Sequence, residues 1–139
     1  MGEKEGVGHL AGTLEISVPA QPVSLARVRR RLRMFLAEHD VREDQRDGVV
    51  LVTHELVANG IVHGSAGKDD VVEIKIKLEP RSVRIRVVDS APTAATPALL
   101  EATDWRESGR GMLMVGQLAT WSEELVDGHR EVTATLSLS

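Results

Sequence analysis

The chain has 139 residues, of which 42% are hydrophobic, 2% aromatic and none cysteine, and its formal net charge is −4. That length suits one domain with a single core built from aliphatic side chains, and the lack of cysteine excludes disulfides and thiolate metal sites. The acidic balance and scarce aromatics argue against direct nucleic-acid binding, which needs a basic footprint and, for single strands, stacking platforms.

No apolar run approaches the length of a membrane span, and the opening MGEKEGVGHL has no signal-peptide core, so a cytoplasmic protein is expected. Residues 1–10 are Gly-rich and charged and read as a flexible lead-in to a single domain over residues 11–138. From Gly12 to Val18 apolar and polar residues alternate as in a half-buried strand. Pro19 and Pro22 break it, and Ser24 is placed to cap a helix running to about His39, with Leu25, Val28, Leu32, Phe35 and Leu36 on one face. The arginines of Arg27–Arg33 (RVRRRLR) fall between those apolar positions and read as a solvated helix face; the functional alternative is a surface for an acidic partner.

After a turn at Asp40–Arg42, a second helix begins at Glu43 and carries THELVANGIVHG, residues 53–64. Its apolar residues cover several sides of the helix, so burial on more than one face is expected. Glu55, Asn59 and His63 follow one another at i, i+4 and i+8, stacked along one line at intervals of about 6 Å. A carboxylate, an amide and an imidazole are costly in apolar surroundings unless they face a cleft, a metal or strong partners. The alternative is a polar edge of an amphipathic helix.

Downstream, Val72–Leu78 and Val83–Val88 alternate as two strands around the turn Glu79–Ser82, and the second stops at Asp89. A carboxylate at such a strand end either closes an Asx-turn or points into a pocket and accepts from a ligand amine. Ser90–Pro97 reads as a loop or lid and Leu99–Trp105 as a short helical turn. Gly109-Arg110-Gly111 opens a helix over Met112–Ala119, where glycines and unpaired N–H groups suit an anion, although a bare G-x-G is weak evidence by itself. Trp121–Val126 and Glu131–Leu138 form a closing hairpin around Asp127-Gly128. The expected architecture is a two-layer α/β sandwich, a mixed or antiparallel sheet covered on one face by helices.

Taken together, ELVANGIVHG, the strand ending in Asp89, the lid, ESGRGMLMV and the final hairpin resemble the GHKL ATPase superfamily, and within it the bacterial anti-sigma-factor serine/threonine kinases. The likeness spans about residues 11–138. It implies a Bergerat-type ATP-binding fold, ATP and Mg²⁺ as cofactors, and a protein kinase that phosphorylates an anti-sigma-factor antagonist and sequesters a sigma factor. It also implies a homodimer. By that resemblance Glu55 is the general base, Asn59 the Mg²⁺ ligand and His63 a neighbour of the phosphates. Asp89 reads adenine, and Gly109, Arg110 and Gly111 form the second glycine box. The chain departs from the family pattern at Ala91, where a glycine is usual, and at Glu131, which is aligned with a threonine beside the adenine. These departures support an alternative, a weakly nucleotide-binding module that acts by sequestering a partner. An ATPase driving conformational change is a third reading, disfavoured by the short lid.

Overall fold

The computed structural model describes residues 6–10, 12–64, 70–89 and 111–139, with the backbone alone for residues 6–10, 63 and 64. Strand β1 (Gly6–Leu10) and strand β2 (Thr13–Pro19) lead into helix α1 (Ser24–Glu38) and helix α2 (Glu43–Gly64). Strands β3 (Val71–Glu79) and β4 (Ser82–Asp89) follow, then α3, whose described residues are 111–118, and the final pair β5 (Thr120–Val126) and β6 (His129–Ser137). Every strand pairing is antiparallel, in the order β1-β2-β3-β4-β6-β5, so the last hairpin turns back to set β6 against β4.

Period-2 alternation sorts the sheet into two faces. Val72, Ile74 and Ile76 of β3, Val83, Ile85 and Val87 of β4, and Val132, Ala134 and Leu136 of β6 are buried. The intervening Glu73, Lys75, Lys77, Arg84 and Arg86 are exposed. The helices cover the apolar face: α2 packs on β4, β3 and β6, and α1 packs on α2 and β2. Val28, Leu32, Phe35 and Leu36 of α1 and Leu56, Val57 and Ile61 of α2 complete the core. Each such side chain contributes about 1.5–3 kcal/mol by leaving water. The expected two-layer sandwich is therefore the observed one, with its sheet purely antiparallel. Among the described residues, no helix is long and apolar enough to cross a membrane.

Local details differ from the sequence reading where backbone partners decide the outcome. Gly6–Leu10, expected within a flexible lead-in, pair with Ser17–Thr13 as an edge strand. Such a ladder is made by main-chain groups and needs no apolar run, and Gly12 at φ +76° provides the tight return. Ser24 is the first helical residue rather than a cap; its buried hydroxyl donates to the Pro19 carbonyl at 2.7 Å, tying α1 to the end of β2. At the far end of α1, His39 Nδ1 lies 2.9 Å from the Phe35 carbonyl while Nε2 accepts from the Gly12 N–H at 3.3 Å. Both contacts are satisfied by the tautomer with its proton on Nδ1. Arg27, Arg30, Arg31 and Arg33 are exposed, as a solvated face requires. Arg29 Nη1 meets His54 Nδ1 of α2 at 3.1 Å, and Arg33 pairs with Asp47 at 3.2 Å. Asp127 (φ 52°) and Gly128 (φ 80°) make the left-handed turn that an Asp-Gly hairpin uses.

Candidate functional site

The site is built along the side of α2 that meets the ends of the sheet. Val49, Val52, Leu56, Val57 and Ile61 hold the helix in the core from more than one side, and Thr53 returns its hydroxyl to the Val49 carbonyl at 2.8 Å. Between them Glu55 and Asn59 are half-buried, one helical turn apart. Neither side chain makes a hydrogen bond or ion pair among the described residues. Two groups of that polarity, partly removed from water and uncommitted, are placed to meet a ligand.

Gly111, the first described residue of α3, is buried directly against Glu55. A Cβ at that position would collide with the Glu55 carboxylate. Here the absence of a side chain is a spatial requirement: the α3 backbone passes where only glycine leaves the carboxylate its position. The next turn of α3 is anchored by Val115, which is fully buried. The first and third sequence pieces, the α2 stripe and the glycine-flanked helix, are thus in contact.

The second piece, Asp89, joins them from the end of β4. It is 2% exposed and sits opposite Arg130 of β6 in the sheet register. Arg130 Nη2 and Nε both donate to Asp89 Oδ2, at 2.8 and 3.1 Å, and Nη2 also donates to the Asn59 main-chain carbonyl at 3.3 Å. One guanidinium therefore ties β4, β6 and α2 together. Gly60 allows this approach, since a Cβ there would lie 3.3 Å from Asp89 Oδ2. Burying both charges is repaid only because the two groups are in direct, charge-assisted contact.

Arg130 escaped the sequence reading, which placed Glu131 beside the adenine. The structure corrects that assignment. Glu131 lies opposite Val88 on the helix-free face and its carboxylate is 4.0 Å from Arg86 Nη1. The signal was parity: Arg130 is in phase with the buried Val132, Ala134 and Leu136, and Glu131 is out of phase. His63 lies in the last turn of α2, but its side chain, together with Gly109, Arg110 and Ala91, falls outside the described residues. The lid at Ser90–Pro97 and the short helical turn at Leu99–Trp105 do so as well.

Among the described residues, no group of three or more His, Cys, Asp or Glu side chains forms a metal cage. This donor set fits a hard cation carried in by phosphates, with Asn59 offering one amide oxygen, and does not fit a resident all-protein metal. A shallow trough of about 390 Å³ lies on the helix-free face, lined by Lys75, Lys77, Arg84, Arg86, Ser122 and Thr133. Lys75 and Arg84 there are exposed and paired with the exposed Glu15 and the half-buried Glu79 at 3.7 and 3.8 Å, and none of the described residues of the three pieces lines it. It is a solvated sheet surface.

No curated protein matches the chain. A family model described as the histidine kinase-like ATPase domain matches residues 18–136, a span that begins at the end of β2 and includes α2, Asp89, Gly111 and Arg130. The chain belongs to the histidine kinase-like ATPase domain family.

Proposed function

We propose that this ATPase-family domain is an ATP- and Mg²⁺-dependent serine/threonine protein kinase of the anti-sigma-factor type. In this reading it phosphorylates a hydroxyl of an anti-sigma-factor antagonist and, when not so engaged, sequesters a sigma factor, acting as a cytoplasmic homodimer. The observation that carries it is the uncommitted Glu55 carboxylate held against the backbone of Gly111, the first described residue of α3. Phosphates bound beside Gly111 would be met by main-chain N–H groups and, as the family resemblance implies, by Arg110. Bound Mg²⁺ would neutralise phosphate charge, with Asn59 as its protein ligand and His63 beside the phosphates. Glu55 accepts the proton of the substrate hydroxyl as its oxygen bonds to the γ-phosphorus, and the bond from that phosphorus to ADP breaks. Asp89 takes the base.

The test is phosphate transfer from Mg-ATP to the antagonist. Loss of transfer by at least about a hundredfold in Glu55→Gln, with nucleotide binding retained, is expected from removal of a general base. Equal transfer by wild type and variant rejects the assignment. A second reading, partner sequestration with little or no nucleotide binding, is favoured by one observation: Arg130 already occupies Asp89. Tight sigma-factor binding together with no calorimetric response to millimolar Mg-ATP would select it.

A further inference from the structure

Sheet register sets the side chains of the helix-free trough in rows. Lys75 of β3 stands opposite Arg86 of β4, Arg86 opposite Thr133 of β6, and Thr133 opposite Ser122 of β5. At about 4.8 Å per strand, this row spans roughly 14 Å across the sheet. In the next row along the strands, Lys77 stands opposite Arg84. These six residues line the trough. Opposite charges on facing strands attract, whereas like charges placed directly opposite are destabilising. Both rows set cation against cation. The chain has 21 acidic residues against 17 lysines and arginines, so its composition does not force such a block.

The neighbouring carboxylates compensate the block only in part. Glu15, Glu79 and Glu131 lie 3.7, 3.8 and 4.0 Å from Lys75, Arg84 and Arg86, in exposed or half-buried positions where ion pairs contribute little. Lys77 has no ion pair among the described residues, and the Ser122 and Thr133 hydroxyls have no hydrogen bond there.

We propose that this trough is an anion site for a short inorganic chain of phosphates, separate from the proposed nucleotide site and sharing no residue with it. Each cation turns from its carboxylate to a phosphate oxygen, and the planar arginine forks match such oxygens in pairs. The anion replaces repulsion within the rows Lys75–Arg86 and Lys77–Arg84 by attraction to a shared charge. The hydroxyls of Thr133 and Ser122 extend the row of donors, which suits several linked phosphates better than one. No lining residue is aromatic or aliphatic, so the trough offers no platform for a base or an acyl chain. That favours a free oligophosphate over a nucleotide or a lipid headgroup.

The experiment is an NMR titration of the isotope-labelled full chain with sodium tripolyphosphate, at constant ionic strength and without Mg²⁺. Saturable shifts are expected at the amides of Lys75, Lys77, Arg86 and Ser122. Lys77→Gln combined with Arg86→Gln is expected to weaken binding at least about tenfold. Arg30→Gln combined with Arg31→Gln removes the same charge from the exposed face of α1 and is expected to change it less than about threefold. A second readout is thermal melting in anion-free buffer. Lys77→Gln alone is expected to raise the midpoint by roughly 1–4 °C, because it removes a like-charge pair and no ion pair. A lowered midpoint overturns the inference, as does the absence of shifts at the trough in millimolar tripolyphosphate. Equal weakening by both double variants overturns it by showing a net-charge effect alone, and shifts confined to the surroundings of Asn59 and Gly111 overturn it by placing the anion at the nucleotide site. The kinase reading survives each of these results.

Discussion

Arg130 and Glu131 are neighbours on β6, both charged and both ion-paired, yet they inhabit different solvents. Arg130 is directed into the helix-covered side, where it meets Asp89 at 2.8 Å with side-chain exposures of 7% and 2%. Glu131 is directed to the open face, where it meets Arg86 at 4.0 Å with exposures of 26% and 46%. Coulomb attraction between such pairs differs several-fold with the surrounding dielectric, and so does the cost of leaving one partner alone. The contrast teaches that in this sheet the worth of a charge is set by strand parity. One residue of register separates a group that organises the site from one that contributes to solubility.

The contrast is broken most directly by truncation. Arg130→Ala leaves the Asp89 charge buried without its partner and is expected to lower unfolding free energy by about 3–5 kcal/mol, read by urea denaturation. Replacing both members with apolar residues, Asp89→Leu with Arg130→Met, is expected to recover most of that loss, because no buried charge remains. A double variant as unstable as the single one would mean that the pair holds the fold through its hydrogen bond to Asn59 and not through charge compensation.

Gly111→Ala tests the other half of the site. The added Cβ meets the end of a flexible Glu55 side chain, which can swing away at little cost to folding. Stability is expected to change by less than about 1 kcal/mol, while phosphate transfer falls at least about tenfold as the base is displaced. Transfer at the wild-type rate would show that Glu55 need not occupy this position.

On the open face, a double-mutant cycle over Arg86 and Glu131 is expected to give a coupling below about 1 kcal/mol, shrinking further in high salt. A coupling as large as that of the buried pair would erase the distinction between the faces. The smallest effect belongs to the exposed Asp44 at the start of α2. The hydrogen bond from Arg42 holds its carboxyl below the ordinary aspartate range. Its folded-state pKa is therefore below the unfolded one, so its contribution is present above about pH 4 and fades as the pH falls through the lowered value. Asp44→Asn is expected to lower stability slightly at neutral pH, to leave it unchanged once the pH is below the lowered value, and so to flatten the acid limb of the stability profile, as followed by thermal melts.

Much of the fold was legible because it is written in local periodicities. The period-2 runs over Val72–Leu78 and Val83–Val88 and the helical spacing of Leu25, Val28, Leu32 and Leu36 each determine which side of an element is apolar. Once those sides are known, a helix layer on one face of a sheet is the economical way to bury them. The stripe Glu55–Asn59 was legible for the same reason, since helical spacing alone puts the two on one line. Strand β1 was not, because edge pairing is made by backbone groups whose partner lies elsewhere in the chain. Nor was the role of Ser24, the first residue of α1, whose hydroxyl donates to the Pro19 carbonyl across a turn and does not cap the helix.

The sequence by itself determined the layers, the buried helix α2, the arrest of β4 at Asp89 and the hairpin that ends the chain, all of them consequences of spacing along a single element. Only the tertiary structure decided which strand lies beside β4, and with it that Arg130 and not Glu131 faces Asp89. It alone placed Gly111 against Glu55. Such contacts join residues far apart in the chain, and their geometry follows from register and packing between elements, which no local pattern of residues encodes.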